Sequence, residues 1–137
     1  MRVRIVAAGI LASAGLAIGL SACGGGDEAT LTIYSGRSQS LVEPLIDRFA
    51  EESGIDVDVR YGDTAELALL IAEEGDNSPA DVFFSQSPGA VTSLAQRDLL
   101  GEIDQASLDL VDERFRDPDG RWVGTSGRQR VLVYDSD

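Results

Sequence analysis

Along the first two-thirds of this 137-residue chain, apolar and polar positions follow a repeating order. A short apolar run comes first, then a small polar turn, then apolar residues at helical spacing. Leu31-Thr32-Ile33-Tyr34 reads as a strand, and residues 39–52 place Leu41, Val42, Leu45, Ile46 and Phe49 on a helical stripe between charges. Ser40 and Glu43 have the spacing of a capping box, Pro44 is tolerated if it lies in the first turn, and Gly54 ends the helix. Ile55, Val57 and Val59 then alternate with Asp56, Asp58 and Arg60, the period of a strand with one solvated face. Asp63 and Glu66 open a second helix with the stripe Leu67, Leu70 and Ile71, closed by Gly75. Residues 80–85, centred on Val82-Phe83-Phe84, suit a buried strand. Ser87 as cap and Pro88 at the first helical position then start a third helix near residues 89–96.

Three strand-then-helix units in succession predict an α/β domain with a parallel-rich sheet flanked by helices. Ligands of such sheets sit at the carboxyl ends of the strands, where the strand-to-helix turns gather. Here those turns are Ser35-Gly36-Arg37-Ser38, Gly62-Asp63-Thr64 and Ser85-Gln86-Ser87. The first of them combines a glycine, a guanidinium fork and the unpaired N–H groups of a helix start, which together suit an anion. Beyond it the pattern is less regular. Residues 107–115 are expected to be helical, Asp117, Asp119 and Gly120 to form a plain turn rather than a calcium loop, and residues 121–125 and 129–134 to be strands around Ser126-Gly127-Arg128. Tyr34, Tyr61 and Tyr134 fall at strand ends, where ring packing with a solvated hydroxyl is expected.

The first residues carry a different signal. Arg2 and Arg4 precede an uncharged run over residues 5–20, and Leu20-Ser21-Ala22-Cys23 follows. Residues 1–22 therefore read as a secretory signal peptide, and the tetrapeptide resembles a bacterial lipobox whose cysteine is acylated. Cys23 is the only cysteine in the chain, and residues 23–29 are expected to act as a tether between lipid and domain. The chain is then exported and anchored to the outer face of the cytoplasmic membrane.

Charge narrows the partners further. The formal net charge is −13, there is no histidine, and all eleven basic residues are arginine. Losing Arg2 and Arg4 makes the mature chain more acidic still, and such a surface repels a phosphate backbone, so nucleic acid is not an expected partner. Without histidine or a free thiol the chain lacks the usual general base, nucleophile and zinc ligands, which points away from an enzyme.

A more specific resemblance lies in Glu74-Gly75-Asp76-Asn77-Ser78-Pro79-Ala80-Asp81-Val82-Phe83-Phe84, taken with Tyr34-Ser35-Gly36-Arg37 before it and Ser126-Gly127-Arg128-Gln129-Arg130-Val131-Leu132-Val133-Tyr134 after it. This order resembles the ferric-binding-protein family of extracellular solute-binding proteins, the substrate-binding subunits of bacterial ABC importers. The resemblance runs from about Leu31 to the last residue.

It implies a bilobed periplasmic-binding-protein fold of type II, of which residues 30–137 would be the first lobe, truncated near the hinge. It also implies a monomer that works with a membrane permease. The transported ligand would be ferric ion, held in the cleft by second-lobe tyrosines and a synergistic anion such as phosphate or carbonate, with no intrinsic cofactor. A hard cation with anionic oxygen ligands needs neither cysteine nor histidine.

Under this resemblance Ser35, Gly36, Arg37 and Ser38 would bind the anion or an iron-bound water, Gln86 and Ser87 would add polar contacts, and Ser126, Gly127 and Arg128 would line the cleft near the hinge. Ser38 and Gln86 stand where many relatives place a histidine and a glutamate ligand, so this chain offers neutral groups at both positions. The same fold also serves other small ligands, such as organophosphonates or thiamine. A lipid-anchored sensor or enzyme domain is the alternative from another class.

Overall fold

A computed structural model describes residues 30–128 and 131–135. The signal peptide, Cys23, the tether, Gln129 and Arg130 lie outside the described residues.

Strand β1 (Thr30–Ser35) is flanked by β2 (Asp56–Tyr61) and β3 (Val82–Phe84) in the order β2-β1-β3, and both pairings are parallel. The expected α/β layout is therefore present, and the register sets its faces. Tyr34 lies beside Arg60 on one side and Phe83 on the other. On Tyr34's face, α2 (Thr64–Glu74) and α3 (Pro88–Ala95) close the core, where Tyr34, Leu67, Ile71 and Leu94 form one buried cluster with Phe83, Leu99 and Leu100 against it. Alternation along β1 sends Ile33 to the opposite face. There α1 (Gln39–Ser53) packs beside β2 and buries Val42.

Helix boundaries follow from local chemistry. Asp63 caps α2 by accepting from the N–H groups of Ala65 at 2.7 Å and Glu66 at 3.4 Å. Gly54 ends α1 in the left-handed region at φ 69°, and its N–H donates to the Ala50 carbonyl at 2.9 Å.

Five expectations fail. Ser40 and Glu43 form no capping box, because the cap position falls two residues earlier, at Ser38, which makes no side-chain cap, while Glu43 accepts from Gln39 Nε2 at 2.7 Å. Pro44 is the sixth residue of the helix rather than a first-turn residue, so the Ser40 carbonyl loses its helical donor at an exposed position. The apolar stripe of α1 is only partly buried: Leu41 is 57%, Leu45 65% and Phe49 43% exposed.

The fourth failure is the helix over residues 107–115. A one-turn helix α4 (Gln105–Leu108) and a 3₁₀ turn at Glu113–Phe115 stand there instead. Asp104 and Asp112 each capture nearby backbone N–H groups, at Ser107 and Arg114, and so start two short turns where the apolar spacing suggested one helix. Of the two late strands, only an isolated antiparallel bridge between Arg116 and Val123 forms among the described residues, and residues 131–134 are exposed and in no strand.

Candidate functional site

All three strand-to-helix turns meet at the carboxyl end of the sheet, and backbone hydrogen bonds knit them together. Gly36 N–H donates to the Phe84 carbonyl at 2.9 Å, and Gly62 N–H donates to the Ser35 carbonyl at 3.1 Å. The turn after β1 is held from both sides.

Glycine at position 36 is a steric requirement. A Cβ there would lie 2.1 Å from Thr64 Oγ1 and 3.0 Å from Thr64 Cα, so the first and second turns touch through the space a side chain would fill. Thr64 Oγ1 donates to the Gly36 carbonyl at 3.4 Å and accepts from the Gln86 N–H at 3.3 Å. Gln86 Nε2 donates to the same Gly36 carbonyl at 2.5 Å. Thr64 is the residue that sequence reasoning passed over. Its only sequence signal is a hydroxyl directly after a helix cap.

These bonds decide which groups stay open. The N–H of Gly36 is spent on Phe84 and that of Arg37 on Ser35 Oγ at 3.3 Å. Ser35 itself is fully buried and supports the turn from beneath. At the start of α1 the N–H groups of Ser38, Gln39 and Ser40 meet no protein acceptor among the described residues, since no side chain caps the helix. Arg37 stands beside them, makes no ion pair among the described residues, and has a buried Nε without an acceptor. In a chain where carboxylates outnumber guanidinia by 24 to 11, that vacancy distinguishes it from Arg116 and Arg121, which are both paired.

Arg37, Gln86, Ser87 and Ser126 line one open cleft of about 640 Å³ between β3 and the extended segment that follows the last turn. Gly127 and Arg128 are exposed and lie outside its lining, as do Ser35, Gly36 and Ser38. Ser87 occupies the cap position of α3 without capping it, its N–H instead donating to Ser85 Oγ at 3.0 Å. Trp122, which the sequence did not single out, lines the same cleft with a buried Nε1–H lacking an acceptor.

Of the tyrosines, Tyr34 is 3% exposed and its hydroxyl donates to Glu74 at 3.1 Å, so that hydroxyl is not solvated as expected. Tyr61 is half-buried, and burial together with the Glu43 and Asp47 charges pushes its phenol up. Tyr134 is 82% exposed. Among the described residues no group of three or more His, Cys, Asp or Glu is placed to hold a metal ion.

A sequence profile described as "Bacterial extracellular solute-binding protein" matches residues 31–111, more than half of the chain. The chain belongs to this family. Among solute-binding proteins it is 34% identical over 105 residues to the "Fe(3+)-binding periplasmic protein" of Serratia marcescens, covering 77% of this chain and 31% of the relative. It is 33% identical over 110 residues to the "Major ferric iron-binding protein" of Neisseria gonorrhoeae, covering 79% and 33%. The solved structure of iron-bound HitA from Pseudomonas aeruginosa superposes with a TM-score of 0.69 at 33% identity, over 70% of this chain and 31% of that one. A Trichodesmium protein in complex with iron and citrate ligands gives a TM-score of 0.65 at 29% identity, over 70% and 31%.

The resemblance to ferric-binding proteins is thus borne out, as is the α/β sheet architecture of a part of a periplasmic-binding-protein-like fold. The chain spans about a third of the length of the curated relatives it matches.

Proposed function

We propose that residues 30–137 are the first lobe of the substrate-binding subunit of an ABC importer that takes ferric iron together with a synergistic anion such as phosphate or carbonate. In this reading residues 1–22 direct export, Cys23 carries the lipid that anchors the protein to the outer face of the cytoplasmic membrane, and residues 23–29 tether the lobe. The subunit works as a monomer, hands its cargo to a membrane permease, and catalyses nothing.

The observation that carries the reading is the set of open donors at the first turn and the helix start that follows it. Ser38, Gln39 and Ser40 offer N–H groups and Arg37 an unpaired guanidinium, while the nearby Gln86 carries no charge. Donors repel a bare cation and attract an oxyanion. This lobe therefore contributes the anion side of the cleft, with Ser87 and Ser126 as further polar contacts, and Ser35 and Gly36 as support for the turn. Gly127 and Arg128 sit at the approach to the cleft. Ferric ion, a hard cation, takes its anionic oxygen ligands from elsewhere. The relatives named above are iron-binding proteins, which supports the same cargo.

The test is optical. Ferric citrate added to a protein of the relatives' length should produce a visible phenolate-to-iron charge-transfer band and raise Tm. Absence of both excludes iron. For the 137-residue chain alone, iron should leave Tm nearly unchanged, and a large rise would contradict a half-site.

A further inference from the structure

The carbonyl of Gly36 is where the three turns converge. It accepts from Gln86 Nε2 at 2.5 Å and from Thr64 Oγ1 at 3.4 Å, and Thr64 Oγ1 is itself bonded by the Gln86 N–H at 3.3 Å. Gln86 thus grips the first turn with its side chain and the second with its backbone. The gap at Gly36, too small for a Cβ, brings Thr64 against the turn. Two donors on one carbonyl fix the plane of the peptide joining Gly36 to Arg37, and that peptide aims the guanidinium and the open N–H groups that follow.

We propose that Thr64 and Gln86 are positioning residues, a clasp on the Gly36 carbonyl that orients Arg37 and the N–H groups of Ser38, Gln39 and Ser40 toward an anionic ligand. Gln86 in this arrangement acts through the turn. One of its amide N–H groups is committed to the Gly36 carbonyl, and replacing that donor by an acceptor sets two lone-pair oxygens against each other. The chemistry also explains why a neutral amide serves here: a carboxylate cannot donate to a carbonyl at neutral pH. That the clasp exists rests on the geometry alone; that it serves anion binding rests on the reading given under Proposed function.

Hydrogen–deuterium exchange of the full chain, with and without inorganic phosphate, separates the two. Gln86→Met keeps the length and removes the donor; Thr64→Val keeps the shape and removes the hydroxyl. Without phosphate, each should speed exchange in peptides covering residues 36–41 by about fivefold or more, while peptides within residues 65–74 keep their wild-type rate. Thr64→Ser should restore the wild-type pattern, and Gln86→Glu should loosen the turn at least as much as Gln86→Met.

Unchanged exchange at residues 36–41 in both deletion variants overturns the clasp. So does faster exchange spread evenly over all peptides with a lower Tm, which would mark general stability instead. With phosphate, wild-type exchange at residues 38–40 should slow, and Gln86→Met should weaken the phosphate Kd by about threefold or more. Local loosening in the variants with no phosphate response in the wild type would keep the clasp and remove the anion reading. A phosphate Kd unchanged in loosened variants would overturn the orienting role.

Discussion

Residues 30–100 and residues 101–135 are held together by different means. The first region is a parallel ladder with helices pressed on it, and its core residues Tyr34, Leu67, Ile71 and Leu94 are all 5% exposed or less. Among its described residues the second has one short helix, one 3₁₀ turn and one isolated bridge, and it buries a single large apolar side chain, Leu108. Guanidinium bonds to carbonyls do much of its fastening. Arg116 Nη1 donates to the Leu108 carbonyl at 2.6 Å, and Arg121 Nη1 donates to the Ala95 carbonyl at 3.1 Å and to Asp98 at 2.7 Å. Apolar burial in the first region is shared among many side chains, whereas such polar fastening is specific and depends on each bond. A lost contact therefore spreads through the shared core of the first region and stays local in the second.

Three perturbations sharpen that contrast. The largest effect is expected in the core: Leu94→Ala, at 2% exposure, should cost about 2–5 kcal/mol by chemical denaturation. Because the ladder and the helices share this core, exchange should rise across the whole first region. Next comes Arg116→Ala, which removes one of the two donors on the Leu108 carbonyl, the Val111 N–H remaining at 3.1 Å, and should cost about 0.5–1.5 kcal/mol. Its exchange increase should stay within residues 101–125 and spare β1 and α2. An equal rise in both regions would show that they form one cooperative unit.

The smallest effect is a pH dependence at α4. Hydrogen bonds from the Ser107 hydroxyl and N–H hold the Asp104 carboxyl below the usual carboxylate range. A depressed folded-state pKa means that the cap's contribution is complete above the unfolded value, near pH 4, and is lost as pH falls through the lower folded one. Protection of the α4 amides, taken relative to intrinsic exchange at each pH, should therefore be flat from pH 8 to 5 and fall only in acid, while Asp104→Asn should abolish that fall.

The same contrast explains how much could be read in the chain. Periodicity located β1, α1, β2, α2, β3 and α3 to within a residue or two, because apolar residues recur in each at the spacing of one face. It failed over residues 107–115, where Asp104 and Asp112 compete for backbone donors over distances a periodicity does not register. It also failed to show that Leu41, Leu45 and Phe49 are exposed, since spacing marks a face without saying what covers it. At the site, Arg37 and the helix start were legible from residue type. The Thr64–Gln86–Gly36 contact was not, because its partners lie 22 to 50 residues apart and meet only when the sheet aligns the turns. The Tyr34–Glu74 bond, 40 residues apart, was hidden for the same reason.

The crowding of Gly36 against Thr64 has a consequence for how the sequence can drift. The two positions compete for one volume, so a Cβ gained at 36 displaces the hydroxyl at 64 that joins the turns. Single changes at 36 are blocked by space, whereas at 64 the chemistry admits serine, which is smaller and keeps the hydroxyl. Lineages that abandon the glycine should therefore show a matched change at the threonine, while serine should replace the threonine beside an unchanged glycine.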